Sequence, residues 1–178
     1  MILLFDKVIQ KLITKYRKLV FKKKIKCDHE NFTLVGNVIL RNTNLKLGRN
    51  VIIYPDVMIY GDGPIVIGDN VKIGNGTIIY ASKNGGVTIE NNTMIAAQCY
   101  IIDCDHGIKA GETIYMQENM VEPVLIEDGV WLAANVTVLK GSKIGEGAVI
   151  GAKSLVKGEI PENAIAVGIP AKVLKYRS

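Results

Sequence analysis

Aromatic side chains are scarce in this sequence: one Trp, seven Tyr and three Phe make up 6% of its 178 residues. So few rings cannot fill an interior of this size, which must instead be built from branched aliphatic side chains. Together with 18 glycines, that composition suits β-structure broken by many tight turns. Cysteine is equally sparse. Cys27, Cys99 and Cys104 form no CxxC pair and no even-numbered framework of the kind that staples small secreted domains. A reducing, cytoplasmic setting is therefore expected. No apolar run is long enough for a signal-peptide core or a membrane span, because Ile2 to Phe5 is interrupted at Asp6 and Lys7, and export by that route is not expected.

The length suits one domain. The net charge of +5 conceals an asymmetry: residues 1–26 hold nine Lys or Arg against Asp6 alone, a local +8, and the rest of the chain sums to −3. A basic excess confined to one terminus, with no stacking aromatics interleaved among the lysines, argues against nucleic acid as a partner.

What the sequence has in abundance is a repeat. Aliphatic residues stand at 47, 53 and 59, at 67, 73 and 79, at 89, 95 and 101, and at 126, 132, 138, 144, 150 and 156. The fifth place of each six is usually small or β-branched, as at Val51, Val57, Val71, Thr77, Thr93, Cys99, Val130, Val136, Ser142, Ala148 and Ser154. Strand side chains alternate faces, so the fifth place and the next first place point inward together while the residues between them turn a corner. Gly and Asn in places two to four, as in Gly68-Asp69-Asn70, relieve strain at those bends. Grouped in threes, the repeats predict an all-β solenoid of about five three-sided coils, beginning at Leu47, Ile67, Ile89, Ile126 and Ile144. Every break in phase leaves from one corner of the prism.

The ends differ from the middle. Residues 1–26 read as a basic amphipathic α-helix, with Ile2, Phe5, Ile9, Leu12, Ile13, Tyr16, Leu19 and Val20 on one face and Lys7, Lys11, Lys15, Lys18 and Lys22 on the other. The stripe suits a cap over an open solenoid end or a helix lying on an anionic membrane. Residues 27–46 read as an irregular lead-in segment, 47–160 as the solenoid with a loop insertion at 107–125, and 161–178 as a C-terminal extension.

The two histidines stand in different settings. His29 lies in the polar link Cys27–Asn31, where a solvated loop residue is expected. His106 closes Asp103-Cys104-Asp105-His106-Gly107 at the mouth of the long insertion, where a core gives way to a loop. By repeat register Asp105 takes an inward fifth place, and Asp103 and His106 take outward ones. Asp103 is thus the expected partner that fixes the imidazole tautomer and leaves the other ring nitrogen to accept a proton.

The phased repeats resemble the hexapeptide-repeat acyltransferases, which implies a left-handed parallel β-helix assembled as a homotrimer. The stretch from Asp103 to Gly107, then Pro123-Val124-Leu125-Ile126 and Val130-Trp131, is most similar to the lipopolysaccharide and capsule sugar O-acetyltransferases. That resemblance implies transfer from acetyl-CoA to a sugar hydroxyl of a surface polysaccharide or its precursor, with His106 as general base. It also implies a coenzyme A path along Trp131, Ala133, Ala134, Gly151 and Ala152, with Lys172, and Lys175 or Arg177, meeting the adenosine phosphates. The family often has a second histidine where this chain has Cys104, and its usual Thr-Lys after the last repeat is Lys157-Gly158 here. Alternatives remain: an acyl group carried on Cys104, N-acetylation of an amino sugar, or a non-catalytic β-helix. The γ-carbonic anhydrases share the prism but need three histidines on zinc; two histidines, one outside the repeats, exclude that site, and no metal is expected.

Overall fold

The computed structural model describes the backbone of residues 2–25 and 27–178 and the side chains of residues 9–25 and 27–178. One helix, α1 (Ile2–Ile25), precedes a parallel β-solenoid of about seven turns. Three stacks of short strands form its walls. The first runs through Phe32–Leu34, Val51–Ile53, Lys72–Ile73, Met94–Ile95, Trp131–Leu132, Val149–Ile150 and Ala164–Gly168. The second runs through Val38–Leu40, Val57–Tyr60, Ile78–Tyr80, Tyr100–Ile102, Thr137–Val138 and Leu155–Val156. The third runs through Leu45–Leu47, Ile65–Ile67, Val87–Ile89, Val124–Ile126, Lys143–Ile144 and Glu159–Ile160.

The inward places are those the repeat assigns. All the first-place aliphatics are buried except Leu47, which is half-buried, and all the fifth-place residues named above are buried. The corners have a sharper rule than the sequence suggested, because the left-handed residue falls at the fourth place. Asn50, Asp56, Asn70, Asn92, Gln98, Asn135 and Lys153 have φ between 55° and 61° there, and Gly76, Gly129, Gly141 and Gly147 between 65° and 68°. Gly, Asn and Asp adopt this region at least cost. At the corner between the third and first walls these side chains also join the coils. Asn50 donates to Asn70 at 2.9 Å, Asn70 to Asn92 at 3.0 Å, and Asn92 to Asp128 at 3.0 Å.

Three expectations are corrected. The lead-in segment is a regular coil, with Phe32, Leu34, Leu40 and Leu45 buried. Its phase was hidden by one extra residue between Leu40 and Leu47, which buried Asn42 accommodates by donating to the carbonyls of Gly61 at 2.7 Å and Gly63 at 2.9 Å. The C-terminal extension begins a seventh turn at Ala164–Gly168 and folds back as antiparallel Ala171–Tyr176, pairing the open edge of the first wall. The count is therefore about seven turns rather than five.

Helix α1 reaches the solenoid through Phe21 and Ile25, both buried in the common core, with the Phe21 ring 5.6 Å from that of Phe32. The Lys24 ammonium donates to the Leu40 carbonyl at 3.2 Å. Leu12, Tyr16, Leu19 and Val20 of the expected stripe are exposed, and the Ile2, Phe5 and Lys7 side chains lie outside the described residues.

Candidate active site

All the extra residues leave from the corner between the second and third walls, and the candidate site is built there. After Ile102 the chain departs from the prism. Cys104–Asp105 pairs antiparallel with Met120–Val121, Cys104 opposite Val121 and Asp105 opposite Met120, and the chain rejoins the third wall at Val124. The repeat register ends with this departure, which corrects the expected orientations. Asp105 is exposed rather than inward, and Asp103 is fully buried.

The buried Asp103 carboxylate accepts from the Ser82 amide with both oxygens at 2.9 Å, and its Oδ2 also accepts from the Gly86 amide at 2.7 Å. It thus fastens the root of the insertion to the turn of the preceding coil. A Cβ on Gly85 would stand 2.2 Å from Asp103 Oδ2, so glycine is what admits the carboxylate. Among the described residues, none of the hydrogen bonds of Asp103 goes to His106, contrary to the pairing expected from sequence. An Asp drawn under the corner by backbone amides does not also reach an exposed imidazole.

His106 is exposed at the first step of the loop. Behind it, buried Gly107 lets the loop close on itself: a Cβ there would lie 2.8 Å from both Gln117 Cβ and the Glu118 carbonyl. The Gln117 side chain staples the loop, accepting from the Lys109 amide at 2.7 Å and donating to the carbonyls of Lys109 at 3.0 Å and Glu112 at 3.1 Å. A cleft of about 530 Å³ opens along it, lined by Gly107, Lys109, Met116, Gln117, Asn119 and Met120 among others. The returning limb is tied down by the Glu122 amide, 2.9 Å from the Asp103 carbonyl, and by an ion pair between Glu122 and Lys140. That hydrogen bond to Glu122 raises the Lys140 ammonium above its ordinary pKa. None of Gly85, Ser82 or Lys140 was singled out from sequence. Only Gly85-Gly86, a glycine pair beside a corner, offered a signal.

Cys104 is buried, and burial, reinforced by the charges of Asp103 and Asp105, pushes its thiol pKa up. A nucleophilic cysteine needs the opposite shift. Away from this corner, Cys27, Asp28 and His29 bring ligand atoms within 4.8 Å of one another. His29, expected to be solvated, is half-buried with Nε2 3.0 Å from the Leu47 carbonyl.

The residues matched to a coenzyme A path gather elsewhere, at the corner between the first and second walls. Ala133 and Ala134 stand one coil before Gly151 and Ala152, and their backbones are committed to the stack. The Ala133 amide donates to Ile150 and the Gly151 amide to Ala166, each at 2.9 Å. Trp131, on the outward face of the first wall, is 44% exposed. Exposed Lys172 lies opposite Val167, whose Cγ1 would be 2.7 Å from a Cβ on Gly151. Arg177 departs from the group, because its guanidinium donates to the Gly147 carbonyl at 2.6 Å, at the corner between the third and first walls.

Between His106 and this second group lies the whole second wall. Its outward face is apolar: Met58, Ile78 and Tyr100 align across coils, as do Tyr60, Tyr80 and Ile102, all half-buried. The Tyr60 and Tyr80 rings meet edge-on at 4.9 Å.

A family model described as bacterial transferase hexapeptide (six repeats) matches residues 123–158. The putative colanic acid biosynthesis acetyltransferase WcaF of Escherichia coli is 32% identical over 139 residues, covering 78% of this chain and 73% of that protein. This chain belongs to the hexapeptide-repeat acetyltransferase family. Another member, the putative lipopolysaccharide biosynthesis O-acetyl transferase WbbJ of Escherichia coli, is 37% identical over 124 residues, covering 65% of this chain. The chain spans 62% of the length of that relative, less than two thirds. Among solved structures, AntD, an N-acyltransferase from Bacillus cereus in complex with dTDP and 3-hydroxybutyryl-CoA, superposes with a TM-score of 0.78 at 20% identity. The match covers 89% of this chain and 87% of that one, and it is a likeness of fold.

Proposed function

We propose that this protein transfers an acetyl group from acetyl-CoA to a sugar hydroxyl of a surface polysaccharide or its precursor, with His106 as general base, in a homotrimer. The observation that carries this reading is an exposed imidazole at the root of a stapled loop, on one edge of an apolar wall whose other edge holds Ala133, Ala134, Gly151 and Ala152, the small residues that the family resemblance matches to a coenzyme A path. The two groups stand on opposite edges of that wall in one chain. A neighbour laid on the wall brings its small-residue edge to the His106 corner, which is why the site is read as shared between subunits.

In the reaction, His106 accepts the hydroxyl proton as the oxygen attacks the thioester carbonyl. A C–O bond forms, the C–S bond breaks, and the imidazolium returns the proton to the leaving thiolate. A backbone amide at the subunit groove serves as donor to the developing oxyanion. Asp103 acts at one remove, as a positioning residue that holds the loop carrying His106. The raised pKa of Cys104 favours direct transfer over an acyl-cysteine. The names of WbbJ and WcaF, as proteins of polysaccharide biosynthesis, favour a sugar acceptor and, for WbbJ, oxygen as the nucleophile.

A panel of matched hydroxyl and amino sugars with acetyl-CoA, read out as released thiol, tests this. Turnover is expected with a hydroxyl sugar, and light scattering is expected to give about three times the 19.4 kDa chain mass. Turnover confined to amino sugars would make the enzyme an N-acetyltransferase, and no turnover with either class would overturn the reading.

A further inference from the structure

Helix α1 carries two apolar faces, and the solenoid uses one. On the helical period of about 100° per residue, Phe21 and Ile25 share the side that covers the first coil. Leu12, Tyr16 and Leu19 lie roughly opposite, at 62%, 69% and 53% exposure, with Val20 beside them at 36%. Capping and membrane binding, which looked like rival uses of one stripe, thus fall on different faces.

Cations flank the free stripe on both sides. On the same period, Lys11, Lys15, Lys18 and Lys22 run along one border and Arg17 and Lys24 along the other, while Lys23 extends the stripe itself. The Lys18 ammonium donates to the Glu30 carbonyl at 2.6 Å, Lys22 pairs with the Glu30 carboxylate at 3.1 Å, and Lys24 is held by Leu40. Lys11, Lys15 and Lys23 are exposed. Shallow clefts beside the stripe are lined by Leu12, Tyr16 and Leu19 together with Lys15, Lys18 and Lys22.

We propose that this free face of α1 seats the protein on the surface of an anionic bilayer, with Leu12, Tyr16 and Leu19 entering the boundary between headgroups and acyl chains and the flanking cations meeting lipid phosphates. An apolar stripe bordered by cations is the pattern that binds in the membrane interface. A second copy of the chain is the poorer occupant. Its own helix segment carries the same +8, so pairing two stripes sets like charges side by side. The helix lies on the surface rather than crossing it, since no helix among the described residues is long and apolar enough to span a membrane. The inference rests on the helix alone and stands apart from the acetyl-transfer reading.

Flotation of the full-length protein with vesicles of phosphatidylcholine, with or without phosphatidylglycerol, tests it. The protein is expected to float with the anionic vesicles only, and less so as salt is added. The double substitution L12E/L19E is expected to lower the bound fraction roughly tenfold or more, with melting temperature and light-scattering mass unchanged. Phe21→Ala is expected to do the reverse, lowering the melting temperature while the folded protein still floats. Failure of the intact protein to float, or equal flotation of the double variant, would overturn the proposal. So would a change in light-scattering mass in that variant, which would assign the stripe to a second copy.

Discussion

The two edges of the second wall are made from the same hexapeptide and have diverged in opposite directions. The edge shared with the first wall keeps strict period, with Gly74, Ala96, Ala133 and Gly151 stacked in successive coils. A Cβ on Gly74 would come within 2.5 Å of the Ala96 backbone. The edge shared with the third wall lengthens coil by coil, from the single extra residue that Asn42 accommodates to the loop that begins at His106. A regular edge suits a ligand that never changes and an irregular one a ligand that does. In the proposed reaction these are acetyl-CoA and the sugar.

Kinetics separate the edges most sharply. His106→Ala is expected to lower kcat by about 10²-fold or more, with coenzyme A still bound by calorimetry and the melting temperature unchanged. Ala133→Phe, on the regular edge, is expected to raise KM for acetyl-CoA by about tenfold while leaving KM for the acceptor near its parent value. Equal effects of both substitutions on one kinetic constant would erase the distinction.

Stability gives a smaller contrast. Asp103→Ala leaves the buried amides of Ser82 and Gly86 without an acceptor and is expected to cost about 1–3 kcal/mol in thermal or urea unfolding. Asp103→Asn, which keeps one oxygen, is expected to cost less. If Asp103 only oriented His106, both variants would lose activity and keep full stability.

The smallest expected effect is on pH. Burial raises Cys104 from its ordinary 9.0 and Tyr80 and Tyr100 from 10.0, all of them around the second wall and its irregular edge. A group protonated more tightly in the folded state contributes stability that is present below its unfolded pKa and lost as pH rises through the folded one. The melting temperature is thus expected to hold near neutrality and fall above about pH 9. Tyr80→Phe with Tyr100→Phe is expected to flatten that fall, and an unchanged slope would count against it.

The prism was legible because close packing of Ile and Val keeps phase within each coil from Leu47 to Val156, and every break falls at one corner. The first coil was not, since one extra residue at Asn42 breaks the period while the hydrogen bonds that absorb it lie a coil away in sequence. The same limit governed the site. His106 and the small-residue edge were visible as motifs, but Asp103 was misread because its partners, Ser82 and Gly86, are neighbours only through stacking. The free face of α1 was hidden by the opposite problem: its apolar period was plain, yet the residues it buries in the solenoid core, Phe21 and Ile25, lie outside the stripe.

The Asn50–Asn70–Asn92–Asp128 ladder works like the spine of a ring binder. It holds successive coils in register along one edge, so whatever is clipped in at the edge across from the first wall need not keep the stack aligned. In the proposed reaction residues 107–119 can then be exchanged as a cartridge, with a new loop seated between the Asp103 anchor and the Glu122–Lys140 clasp while the spine and the regular edge stay as they are.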